Sequence, residues 1–129
     1  SLESYPNVHH LVSSVTGELA DGRDALDLIA GSFPGGSITG APKIRAMEII
    51  EELELGPRGT YSGCLGYLGA EGSAEFAMTI RSIIFQDGRA TIGVGGGITI
   101  DSDPAAELEE TKLKAKALLA ALNAADPWA

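Results

Sequence analysis

The stretch YSGCLGYLGAEGSAEFAMTIRSIIFQDGRATIGVGGGI, Tyr61 to Ile98, decides the fold. It holds three strand candidates: Tyr61 to Leu68, Glu75 to Gln86, and Arg89 to about Ile98. GAEGS separates the first two, and the two-residue Asp87-Gly88 separates the second and third. Asp-Gly between apolar runs is a strong hairpin signal. The segment therefore reads as an antiparallel meander. With a two-residue turn at Asp87-Gly88, Arg81 opposes Val94 and Thr79 opposes Gly96.

Outward from the meander, the chain alternates element types. NVHHLVSSVTGEL, starting at Asn7, alternates and is valine-rich, so it reads as a strand. DGRDALDLIAGSF gives a short helix with Asp21 or Asp24 near its start and Gly31 near its end. FPGGSITGAPKIRAMEIIEELE, Phe33 to Glu54, passes from turn formers into a second helix with Pro42 in its first turn. Ala46, Ile49, Ile50 and Leu53 form its apolar stripe, with Arg45, Glu48 and Glu52 opposite. A last helix spans Pro104 to about Leu122, with Asp103 as N-cap, and NAADPWA reads as a tail. The order is strand, two helices, three strands, helix: an α+β fold with a mostly antiparallel sheet.

The totals exclude some functions. The 129 residues make one domain, and 44% hydrophobic content argues against disorder. A net charge of −9 opposes a nucleic-acid backbone or an anionic membrane as partner. It leaves room for a small anion held by a few local cations. The single Cys64 rules out an internal disulfide, and the cytoplasm is the expected location. No apolar run reaches membrane-span length. Because the chain opens at Ser1 without methionine, we expect an excised piece of a longer polypeptide.

Several residues could carry chemistry. On the last helix, at 100° per residue, Glu107, Glu110 and Lys114 fall within about 60° of one another, beside the apolar stripe. They read either as a solvated border or as a magnesium site with an ammonium steadying an anionic ligand. Without metal, such a pair should raise one carboxylate pKa. The glycines of GVGGGIT, Gly93 to Thr99, weaken a strand. A bulge or a ligand against bare backbone would justify them. Arg81 interrupts an apolar run, as a half-exposed position or as a carboxylate fork. His10 reads as a core histidine or a catalyst, and Tyr61 as a sheet-edge aromatic. Lys43 sits at the unfavourable end of a helix dipole, which hints at a local anion or a partner acid.

Taken together, PGGSITGAPKIRAMEIIEELE, RGTYSGCLGYL, MTIRSI and GGGITIDSDPAAELEETKLKAKALL resemble the C-terminal part of the chorismate-utilising enzymes. The likeness runs from Tyr5 to Leu122. Within that family, PGGSITGAPK is most similar to aminodeoxychorismate synthase component I, whereas anthranilate synthases more often read PAGTVSGAPK. The resemblance implies that Glu107 and Glu110 lie around Mg²⁺ and that Lys114 lies near a substrate carboxylate. Arg81 and Tyr61 would hold the other carboxylate, helped by the backbone N–H groups of Gly95 and Gly97. His10 would stand close to the reacting ring, with Ser37 and Thr39 in the pocket wall.

By the same resemblance, residues 1–129 are a C-terminal fragment of a catalytic domain, with 123–129 as tail, and catalytically silent alone. An absent N-terminal portion would supply further sheet, a catalytic lysine and more acidic residues. The expected reaction is amination of chorismate to 4-amino-4-deoxychorismate for para-aminobenzoate and folate synthesis. A glutamine amidotransferase would provide the ammonia. Anthranilate, isochorismate and salicylate are the alternative products, and a non-catalytic anion-binding domain is the alternative of another class. A fragment with open apolar faces is also expected to self-associate.

Overall fold

A computed structural model describes residues 1–6 and 8–128. Asn7, the expected start of the first strand, and Ala129, the end of the expected tail, lie outside the described residues.

The fold is α+β with antiparallel pairing throughout, as the sequence implied, but its strands form three separate hairpins. The first joins β1 (Leu2–Tyr5) to β2 (Val8–Leu11), with Glu3 opposite His10. Its open end is zipped by the Ser1 amino group on the Val12 carbonyl at 2.7 Å and by the return bond from the Val12 N–H at 2.8 Å. The expected strand to Leu19 therefore stops at Leu11. A strand must hand its backbone groups to a neighbour. Among the described residues no backbone pairing continues past the Ser1–Val12 bonds, and Val15 is 95% exposed.

Helix α1 (Ala25–Ser32) starts where the sequence placed it. The Asp24 carboxylate accepts from the Leu26 and Asp27 N–H groups, and Asp27 accepts the Asp24 N–H in return. This reciprocal box satisfies orphan donors of the first turn. A single turn, α2 (Gly36–Thr39), follows inside the loop. Gly40 then needs to be glycine twice over, for its φ of +112° and because a β-carbon there would meet the Ala46 side chain at 3.2 Å. Helix α3 (Lys43–Leu53) begins one residue after Pro42, which stands at the N-cap rather than in the first turn. Arg45 pairs with Glu48 and Glu52 on its outer face, as the stripe predicted.

The expected meander is two hairpins. Strands β3 (Cys64–Leu68) and β4 (Ala74–Met78) pair with Gly66 opposite Phe76. Strands β5 (Ile83–Gln86) and β6 (Arg89–Ile92) pair across Asp87 and Gly88, whose φ values of 51° and 74° suit the tight hairpin turn that Asp-Gly signals. Between β4 and β5 the apolar run breaks at Arg81, which takes a φ of 54°. A side chain in the left-handed region cannot continue a strand. The ladder also ends at the Ile83–Ile92 pair, so the expected oppositions of Arg81 with Val94 and of Thr79 with Gly96 do not form, although the register points to them. Residues 93–100 run as irregular backbone instead of strand.

Helix α4 (Pro104–Ala121) closes the chain, with Asp103 accepting the Ala106 N–H at 2.8 Å. No helix among the described residues is long and apolar enough to cross a membrane. Ala115 is the one fully buried hydrophobic residue among those described. The accessible surface is 10588 Å², against roughly 6,500 Å² for a compact monomer of this mass. Caps and turns thus shape each element locally, while most apolar faces stay uncovered.

Candidate active site

The glycine segment after β6 is where the chemistry-bearing residues meet. It runs between the Tyr61 ring on one side and the first two turns of α4 on the other. A β-carbon on Gly93 would fall within 3 Å of the Tyr61 ring, at 2.5 Å from Cδ2. One on Gly95 would stand 3.1 Å from the Tyr61 hydroxyl. One on Gly96 would stand 3.0 Å from Glu107 Oε2 and 3.8 Å from Glu110 Oε1. The run of glycines has a steric cause: bare backbone lets an aromatic ring and two carboxylates approach it. Gly97 faces open space.

Each charged group is held. Lys114 Nζ donates to Glu110 Oε1 at 2.5 Å and to the Gly95 carbonyl at 3.1 Å. Arg81 Nη1 donates to the Lys114 carbonyl at 3.4 Å. Glu107 Oε1 accepts from the Ser102 hydroxyl at 2.6 Å. The hydrogen bond from Lys114, then its charge and that of Arg81, hold the Glu110 carboxyl below its ordinary range. The expected upward shift of one carboxylate is therefore overturned at Glu110: an ammonium reaches it before its acidic neighbour can repel it.

The structure thus gathers Tyr61, Arg81, Gly95, Glu107, Glu110 and Lys114 at one place. His10 lies on the first hairpin, edge-on to the Tyr5 ring with centroids 6.0 Å apart. No hydrogen bond among the described residues joins it to the cluster. Ser37 and Thr39 sit on the α2 turn, and the Thr39 hydroxyl donates to the Gly35 carbonyl at 3.2 Å. Among the described residues no acid pairs with Lys43. Its Nζ donates to the Ser32 carbonyl at 3.0 Å, where the negative end of the α1 dipole serves as partner. Sequence reasoning flagged the Gly93–Thr99 run without giving Gly93 or Gly96 a role of its own, and it did not single out Ser102. The glycine run was the available signal for the first two. Ser102 could have been found as the hydroxyl just before the α4 cap.

The Gly93 packing gives a direct prediction. Gly93→Ala must push the Tyr61 ring aside, at a cost of about 1–3 kcal/mol. The nuclear Overhauser contacts between the Tyr61 ring and the residue 93–95 backbone should vanish, and their survival would refute this packing.

Comparison with known proteins adds a separate line of support. The family model described as chorismate binding enzyme matches residues 1–120. Anthranilate synthase component 1 of Streptomyces coelicolor is 50% identical over 125 residues, covering 97% of this chain and 24% of that protein. Anthranilate synthase component 1 of Mycobacterium tuberculosis is 48% identical over 128 residues, covering 99% of this chain and 25% of that protein. Aminodeoxychorismate synthase of Streptomyces griseus is 48% identical over 126 residues, covering 98% and 17%. The chain spans about a quarter or less of the length of these relatives.

Proposed function

The chain belongs to the chorismate-binding enzyme family, and from that membership we propose that it forms the carboxylate-and-metal side of a chorismate-aminating active site. The observation that carries this reading is the convergence of Tyr61, Arg81, Glu107, Glu110 and Lys114 on one glycine segment. Chorismate is a dicarboxylate. Arg81 spends one of its five donors on the Lys114 carbonyl, so the rest of its fork is free for one substrate carboxylate, with Tyr61 and the Gly95 and Gly97 N–H groups beside it. Lys114 spends two of three donors and keeps one for the other carboxylate. In this reading His10 stands near the ring, and Ser37 and Thr39 line the pocket wall.

Mg²⁺ is the proposed cofactor. The donor set fits it: two carboxylates one turn apart share the space beside Gly96, and Mg²⁺ is commonly held by one or two carboxylates with water and substrate completing its shell. No group of three or more His, Cys, Asp or Glu suited to a metal occurs among the described residues, so this chain offers part of a shell rather than a closed cage. When bound, the ion supplies charge neutralisation and polarises the departing ring hydroxyl. The two carboxylates, Arg81 and Lys114 sum to zero charge, so a dicarboxylate entering with a divalent cation leaves the site neutral.

The proposed product is 4-amino-4-deoxychorismate, with ammonia from a glutamine amidotransferase partner. PGGSITGAPK supports that branch. The second reading is anthranilate, favoured by the 50% identity to the Streptomyces coelicolor protein. Further polypeptide, like that in the longer relatives, is proposed to cover the open apolar faces and complete the pocket.

The test is a pair of chimeras in which this chain replaces its matching segment in the Streptomyces griseus and Streptomyces coelicolor proteins. Given chorismate, Mg²⁺ and ammonium, both should consume chorismate. Anthranilate formation releases pyruvate, whereas amination to 4-amino-4-deoxychorismate retains the enolpyruvyl group. A product that follows this chain in both hosts assigns the branch. No consumption in either folded chimera refutes the reading.

A further inference from the structure

We infer that Ser102 is a positioning residue for Glu107, fixing which carboxylate oxygen faces the glycine segment. The inference rests on the reading of Glu107 as a metal-side carboxylate. Its geometry is independent of that reading. The Ser102 hydroxyl accepts the Thr99 N–H at 3.0 Å. A hydroxyl has one proton, and that of Ser102 goes to Glu107 Oε1 at 2.6 Å. The Thr99 hydroxyl lies at 3.5 Å, the outer limit of a hydrogen bond. A backbone bond from Ser102 N–H to the Thr99 carbonyl at 3.2 Å closes the same turn.

The consequence is a division of labour between the two oxygens of one carboxylate. Oε1 is tied back to the turn before α4. Oε2 is left toward Gly96, in the space that Glu110 Oε1 also borders. Without the tie, the glutamate side chain regains free rotation, and an ordering cost falls on any cation it binds. Groups that orient a ligating carboxylate in this way typically change metal affinity 10–100-fold when removed. Ser102 is separate from the helix cap itself, since Asp103 holds the Ala106 N–H.

The experiment uses the 129-residue chain and Mn²⁺ as probe, read by paramagnetic broadening of the Gly96 and Gly97 amide signals. Ser102→Ala should need about tenfold more Mn²⁺ for equal broadening. Ser102→Thr, which keeps a hydroxyl, should need the same amount as the unchanged chain. In an E107A background, S102A should change nothing further. Amide exchange supplies a readout without metal: S102A should speed exchange at Thr99 and leave Ala106 as it was. Broadening lost in E107A but unaffected by S102A would overturn the role of Ser102. Loosening of Ala106 together with Thr99 would assign Ser102 to the helix start and overturn it as well. No broadening of the unchanged chain, or none of it lost in E107A, would instead overturn the metal reading and the inference with it.

Discussion

Glu110→Gln, made in either chimera, should lower kcat for chorismate amination about 100- to 1000-fold, the range expected when one preorganised charge is removed from a site. The substitution keeps shape and removes one negative charge. It turns the Glu110–Lys114 ion pair into a neutral amide hydrogen bond, with the Gly95 carbonyl as the other partner of Lys114. Because Lys114 holds the Glu110 carboxyl below its ordinary value of 4.5, the pair is fully formed at neutral pH and is lost only as pH falls through that depressed value. The loss in E110Q should therefore be constant from about pH 6 to 9, well above the carboxylate range. Raising Mg²⁺ should recover little of it. Unchanged kinetics with an altered melting temperature would remove Glu110 from the metal side.

Arg81→Ala should raise the chorismate KM about 10- to 100-fold, from the loss of charge-assisted bonds of about 1.5–3 kcal/mol to a carboxylate. Arg81→Lys should recover only part, because an ammonium cannot reproduce the two-point fork. Arg81 also holds a φ of 54°, a conformation that costs a non-glycine residue roughly 1–2 kcal/mol. Such strain, where it occurs, gathers at functional sites. Arg81→Gly separates the two roles. Relief of strain should raise stability, while KM rises as in the alanine variant. A structural arginine would leave KM unchanged in all three.

Much of this arrangement could be read from residue order. The Asp103 cap fixed the phase of α4, and with it the shared face of Glu107, Glu110 and Lys114. Asp87-Gly88 fixed the register of the β5–β6 hairpin, because a tight turn of that kind needs two positive φ values. The rest depended on causes that lie far apart in the chain. FAMTIRSIIF reads as one strand by apolar content, and nothing local announces that Arg81 turns the backbone left-handed. The glycine segment reads equally as a bulged strand or a ligand floor. Only the Tyr61 ring, more than thirty residues earlier, and the α4 carboxylates decide it. Hairpin strand β1, LESY, carries no β-branched residue and has Tyr5 as its one strand former, so its strand signal is weak. Lys43 was legible as a cation in search of a negative partner, but the partner is a helix-end carbonyl contributed by α1.

On the proposed reading, the open surface of 10588 Å² and the convergent cluster go together: these residues contribute part of a chorismate site that further polypeptide covers. Turnover tests this most directly. Chorismate, Mg²⁺ and ammonium are supplied to the 129-residue chain alone, and to the chain mixed with the part of the Streptomyces coelicolor relative that it does not match. Neither piece alone should consume chorismate, and the mixture should give aminated product. Product from the 129-residue chain by itself would contradict this reading, because the site would then be complete within these residues.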